Sequence, residues 1–171
     1  TNVSIPNNIS GKTVAIIGDS AFEGLNLESI VLPNSVSTIG EQAFANNNLT
    51  TIDIPESVQT IKARAFQNNN LETVGFSDGL RSIGVRAFEA NQLEQVSIPE
   101  SVTSISTWTF NDNNIKKATF HNNETSIGLN AFANNQTNSK DLVIEGFVNS
   151  TAETHATNNY FTFIPFPVVI V

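Results

Sequence analysis

Apolar positions in this chain recur with a fixed step. A phenylalanine, usually preceded by alanine, stands at Phe22, Phe44, Phe66, Phe88, Phe110 and Phe132, always 22 residues apart. Leu27, Leu49, Leu71, Leu93 and Ile115 keep the same step, as do Ile39, Ile61, Ile83, Ile105 and Ile127. A constant period of this size predicts a solenoid, in which no single coil can bury its apolar face without its neighbours. Each unit reads Leu-x-x-Ile-x-Ile-Pro-x-Ser-Val-x-x-Ile-Gly-x-x-Ala-Phe-x-x-Asn-Asn. The Ile-x-Ile alternation predicts a short strand with both isoleucines inward. Proline, which has no N–H to donate, ends it. A second extended piece is expected at Val-x-x-Ile, as in Val58 to Ile61. Glycine at 18, 40, 84 and 128 is expected to supply a turn of positive φ. Ala-Phe then reads as a tight turn that sends phenylalanine into the core. Asparagines close the coils at Asn46 to Asn48, Asn68 to Asn70, Asn113 to Asn114 and Asn134 to Asn135. Their amides can satisfy turn backbone groups and the neighbouring amide together.

The pattern breaks at both ends. Val3-Ser4-Ile5-Pro6 echoes Val96-Ser97-Ile98-Pro99, but extra residues that include Ser10-Gly11-Lys12, a turn composition, separate it from Val14. After Phe132, Glu124 having already replaced the inward valine of its column, one more strand is expected at Leu142-Val143-Ile144, delayed by about two residues. Ser150 to Asn158 predicts a short capped helix. Tyr160 to Phe166 predicts a closing aromatic strand. The whole chain, residues 1–171, is expected to be one domain: irregular repeats over 1–26, five regular repeats over 27–136, and the last strand and cap over 137–171. The first residue is Thr1 and the last Val171, and both ends read as cuts in a longer protein.

These units, best seen at 27–46, 49–68 and 93–112, resemble the BspA-like, Treponema-type class of bacterial leucine-rich repeats. Ser150 to Thr154 followed by an aromatic strand resembles that family's usual ending. The family often has Cys where this chain has Asn near the end of each unit. The resemblance implies a right-handed superhelix of 22-residue coils. A parallel β-sheet would line the concave face, short strands and turns the convex face, and a helix and strand would cap the C-terminus. It also implies a secreted or cell-surface bacterial protein, often an adhesin that binds host matrix or another cell. It brings no catalytic residues.

Composition narrows the partners. The formal net charge is −8 from sixteen acidic and eight basic residues, which argues against nucleic acid. No run is long and apolar enough to span a bilayer. Cysteine is absent, so neither disulfides nor a thiolate metal site is expected. His121 and His155 have no histidine partner at metal spacing and read as surface residues. Neither a phosphate loop nor a nucleophile elbow is present. The expectation is a non-enzyme with no cofactor, a monomer that binds a protein or glycan. The alternative is a structural spacer or self-association module, motivated by the apolar tail from Phe163 to Val171.

Candidate binding residues lie in columns where coils stack. On the concave face they are Thr51, Asp53, Thr73, Gln95, Ser97, Lys117 and Thr119. On a convex ridge they are Arg64, Arg86 and Trp108, residue types enriched in binding hot spots. Arg86 over Trp108 can equally form an internal cation–π pair. A third column, Asn34, Glu56, Asp78, Glu100 and Asn122, is either a docking point for a cation or basic partner or a solvated turn.

Overall fold

The computed structural model describes residues 1–135 and 141–167. The expected boundary between 136 and 137 and the tail at 168–171 lie outside the described residues.

Each coil carries two short strands. The first set is β1 (Asn2–Ser4), β5 (Ser29–Val31), β7 (Thr51–Asp53), β9 (Thr73–Gly75), β11 (Gln95–Ile98), β13 (Lys117–Phe120) and β15 (Val143–Gly146), closed by β16 (Thr162–Pro165). The second set is β4 (Ile16–Ile17), β6 (Thr38–Ile39), β8 (Thr60–Ile61), β10 (Ser82–Ile83), β12 (Ser104–Ile105) and β14 (Ser126–Ile127). All these pairings are parallel. The second set forms one unbroken six-stranded ladder, while the first is divided into β1–β5, β7–β9 and β11–β13–β15–β16. Isoleucine at each second position of the short strands is inward, from Ile39 to Ile105 essentially solvent-free.

The phenylalanines turn into the core as expected, and there their rings stack from coil to coil. Ring centroids of successive coils lie 5.2 to 5.6 Å apart with interplanar angles of 10–18°. Hydrogen-bonded strands are spaced about 4.8 Å. The phenylalanine turns are hydrogen-bonded from coil to coil as well, Phe44 N donating to Ala65 O at 2.8 Å, and the longer strands line the concave face of the solenoid.

The turn chemistry differs from the expectation in one respect. Positive φ among glycines occurs at Gly11 and Gly24, not at Gly18, Gly40, Gly84 or Gly128. The left-handed residue falls two positions later, at Ser20, Gln42, Arg64, Arg86, Trp108 and Asn130, with φ of 54–58°. Glycine is needed for a different reason. A Cβ on Gly40, Gly84 or Gly128 would come within 2.5–2.7 Å of backbone atoms in the preceding coil. Gly18, in the first coil, has nothing within 4 Å of that point.

Asparagine staples the coils. The side-chain oxygens of Asn47, Asn69, Asn91, Asn113 and Asn135 accept from the backbone N–H of Leu27, Leu49, Leu71, Leu93 and Ile115 at 3.0–3.1 Å. Each amide nitrogen donates to the phenylalanine carbonyl of its own coil and of the preceding one, as Asn69 does to Phe66 and Phe44. These bonds go to backbone. Amide-to-amide stacking occurs on the outside, where Asn68 donates to Asn46 at 2.9 Å.

At the N-terminus, β2 (Asn8–Ile9) and β3 (Lys12–Thr13) form an antiparallel hairpin. Its turn residues Ser10 and Gly11 both have positive φ, the geometry that matches strand twist in a two-residue loop. Near the C-terminus Glu124 is exposed, as expected, and buried Thr125 bonds Val102 O at 2.8 Å instead. The register pairs Lys117 with Val143, 26 residues on, so the delay of the last strand is four residues and not two. Helix α1 (Thr151–Asn158) follows, with Ser150 Oγ accepting from Glu153 N. His155 is buried on its inner face, contrary to the surface position expected, because it fills the space beside Phe132 and Phe161. Burial lowers its pKa to about 4, so the ring is neutral at pH 7.

Candidate functional site on the concave sheet

Alternation along the longer strands decides what the inside of the curve presents. Ile52, Val96 and Ala118 turn into the core, and their neighbours turn out. Thr51 pairs with Thr73 and Asp53 with Gly75. Gln95 pairs with Lys117 and Ser97 with Thr119. All seven concave candidates therefore point away from the core, six of them exposed and Thr119 half-buried. They form two groups, because strand pairing lapses between β9 and β11.

In the first group Thr51 and Thr73 share a hydroxyl hydrogen bond of 3.0 Å. The Asp53 side chain lies over Gly75, where a Cβ would come within 2.6 Å of its Oδ1. In the second group Lys117 pairs with Glu145 at 2.8 Å, and Thr119 Oγ1 donates to the same carboxylate at 3.0 Å. The lysine hydrogen bond, chiefly, holds the Glu145 carboxyl below its usual range. Ser97 Oγ lies 3.1 Å from His121 Nε2. The His121 ring stacks on Phe166 at 5.8 Å, and Phe166 meets Phe147 edge-on at 5.0 Å.

The Asp53 carboxylate fills the space over Gly75, while the small side chain of Ser97 leaves the surface low beside it. Ser97 borders two shallow depressions. One, of about 290 Å³, is lined by Thr73, Gln95, Lys117 and Thr119; the other, of about 490 Å³, by Gly75, Phe76, Asp78, Glu100 and His121. The arrangement offers hydroxyls, an amide, a carboxylate and an aromatic rim over three or four coils. Such a surface can hold an extended polar ligand.

Glu145, His121 and Phe166 complete the surface and were not anticipated from the sequence. The four-residue delay moves Glu145 out of the 22-residue column that leads to Ser97 and Thr119. His121 sits in phase, but its partner Ser97 is a different column of the preceding coil.

The convex candidates are engaged within the chain. Arg64 Nη1 is 3.4 Å from Glu41, and Arg86 Nη1 is 3.3 Å from Glu89. The Arg86 guanidinium lies 4.6 Å from the Trp108 ring centroid, the internal pair foreseen. Glu89, a buried carboxylate, also accepts from Gln67 Nε2 and from Asn111 Nδ2. In the acidic column, Asn122 turns its amide back to Glu100 O and Val102 O. Among the described residues no three His, Cys, Asp or Glu side chains approach closely enough to hold a metal ion. Nor is any helix among them long and apolar enough to cross a membrane.

Known proteins share this architecture. A leucine-rich repeat protein from Bacteroides ovatus superposes with a TM-score of 0.69 at 25% identity, over 84% of this chain and 37% of that one. The leucine-rich repeat protein of T. pallidum gives 0.64 at 28% identity, over 69% of this chain and 57% of that one. The chain thus spans well under two thirds of either structure. No curated protein matches the sequence. The model of the BspA type leucine rich repeat region matches six copies over residues 15–139, which places the repeats where the phenylalanine ladder runs. The chain belongs to the BspA-type leucine-rich repeat family.

Proposed function

We propose that this chain is a non-catalytic recognition module that binds a protein, or the glycan on one, through its concave sheet. We further infer that it serves adhesion as part of a secreted or cell-surface bacterial protein, and that it acts as a monomer. The observation that carries the reading is the pair of shallow depressions that meet at Ser97. Hydroxyl, amide, carboxylate and lysine side chains line them. Repeat solenoids use their concave faces as extended binding surfaces. The convex ridge is the weaker candidate because Arg86, Glu89 and Trp108 already satisfy one another.

The test is capture on arrays of matrix proteins and glycans with the wild type, Ser97→Arg and Trp108→Ala. Ser97→Arg fills both depressions from an exposed position and is expected to abolish capture, while Trp108→Ala retains it. Loss with Trp108→Ala alone would move the site to the convex ridge, and equal capture by all three would refute both. Sedimentation at several concentrations is expected to show a monomer; concentration-dependent assembly would favour the self-association role. Turnover in a broad hydrolase panel would overturn the non-catalytic reading.

A further inference from the structure

The two ladders end at different places. On the concave side β13 is followed by β15 and β16, whereas the six-stranded ladder stops at β14. Helix α1 follows there in place of another short strand.

Along that ladder each coil uses the same backbone groups. Ser106 N donates to Ile83 O at 3.0 Å, and Gly128 N donates to Ile105 O at 2.8 Å. Just past the strand the direction reverses: Arg86 N donates to Thr107 O and Trp108 N to Leu129 O, both at 3.2 Å. Position for position, the last coil offers Ile127 O as acceptor and Asn130 N–H as donor. Among the described residues neither has a partner. Helix α1 covers only the start of this rim, where Thr151 N donates to Asn123 O and Thr151 Oγ1 to Thr125 O. Beyond Thr125 a cleft of about 520 Å³ separates rim and helix. Ile127, Gly128 and Leu129 line one wall, and Thr154, His155 and Asn158 the other. Leu129 is 80% exposed, and His155 Nε2 is buried with no hydrogen bond.

We propose that this cleft is a β-augmentation site, which binds an extended segment of a partner protein parallel to β14. Such segments gain affinity from main-chain hydrogen bonds to an open edge and specificity from alternate side chains. The site continues the strand-on-strand interface that runs from β4 to β14, so the occupant is defined by what each coil supplies to its predecessor. It gives an N–H to Ile127 O, accepts from Asn130 N–H one residue later, and covers Leu129 with an apolar side chain. Close approach at the donating residue favours glycine, as it does at Gly128. Glu124 on the cleft wall favours a neutral or basic segment. This docking edge is separate from the concave sheet.

The probe is an acetylated, amidated hexapeptide Ser-Ile-Gly-Leu-Asn-Ala, the sequence of residues 126–131, titrated into the isotopically labelled chain and followed by NMR. Amide shifts are expected at residues 126–130 and 154–158, with added exchange protection at Asn130 N–H. N-methylation of the peptide glycine removes the donor to Ile127 O and is expected to weaken binding about tenfold, the effect of one hydrogen bond. Thr154→Arg, at an exposed position on the helix wall, is expected to abolish the shifts without moving the unfolding transition. Ser97→Arg should leave the titration unchanged, which separates this inference from the concave-face reading. No shifts at millimolar peptide, shifts confined elsewhere, or equal binding by the N-methylated peptide would each overturn it.

Discussion

At the scale of the residue, two side-chain choices hold the coils at a fixed distance. The buried asparagines join coils through one acceptor and a shared donor. Replacing Asn69 by alanine strands the N–H of Leu49 and withdraws a donor from Phe44 O and Phe66 O. Urea unfolding of Asn69→Ala should show a loss of about 3 kcal/mol, since each orphaned buried group costs roughly 1–3. Glycine acts by absence. Gly84→Ala drives a Cβ to 2.6 Å from Ala63 N and is expected to cost about 1–3 kcal/mol, whereas Gly18→Ala should fall within about 0.5 kcal/mol of wild type. Equal effects would contradict the close-approach account. The sequence pattern shows that glycine recurs, but the same spacing fits a left-handed turn. Only the coil-to-coil distance separates the two explanations. Asn91 shows the same limit: it lies in Ala90-Asn91-Gln92 and not in an asparagine run, yet it makes the same bonds as Asn69.

At the scale of the element, the phenylalanine ladder and the C-terminal helix behave differently. Phe66 is solvent-free and stacked on both sides, so Phe66→Ala should lower the unfolding free energy by about 3–5 kcal/mol. Helix α1 carries a pH dependence through His155, whose pKa falls from 6.5 to about 4 by burial. The unfolded state binds more protons between those values. The stabilisation is therefore complete above about pH 6.5 and is lost as pH falls towards 4, by about 3 kcal/mol at most. Thermal melts of the wild type should drop across that window, and His155→Leu should flatten the response; a wild type indifferent to acid there would show that His155 titrates normally. The helix was legible from its serine cap and paired alanines. The burial of His155 was not, because it depends on Phe132 and Phe161 from other coils.

At the scale of the whole molecule, each coil touches chiefly the coils before and after it, so stability is a sum of neighbouring interfaces. Amide exchange should be slowest in the central coils from Leu49 to Leu93 and fastest in the β2–β3 hairpin and in α1 and β16, which have neighbours on one side only. Uniform protection along the chain would argue against this one-dimensional coupling. The same stacking turns scattered residues into surfaces. Ser97, Lys117 and Thr119 were foreseen as neighbours from their columns. The completion of that face by Glu145 and Phe166 was not, since the insertion before β15 changes the column arithmetic.

What the sequence by itself determined is the solenoid, its period, its inward and outward positions and its irregular ends. Those follow from periodic burial, which acts on each residue in the same way in every coil. What only the tertiary structure decided lies between coils and at their ends. It includes why glycine is required, how Arg86, Glu89 and Trp108 satisfy one another, and where the short-strand ladder stops. Each depends on distances between segments remote in sequence, and a repeat pattern specifies those distances only while the repeat holds. After Phe132 it no longer does, and α1 leaves Ile127 O and Asn130 N–H without a partner among the described residues.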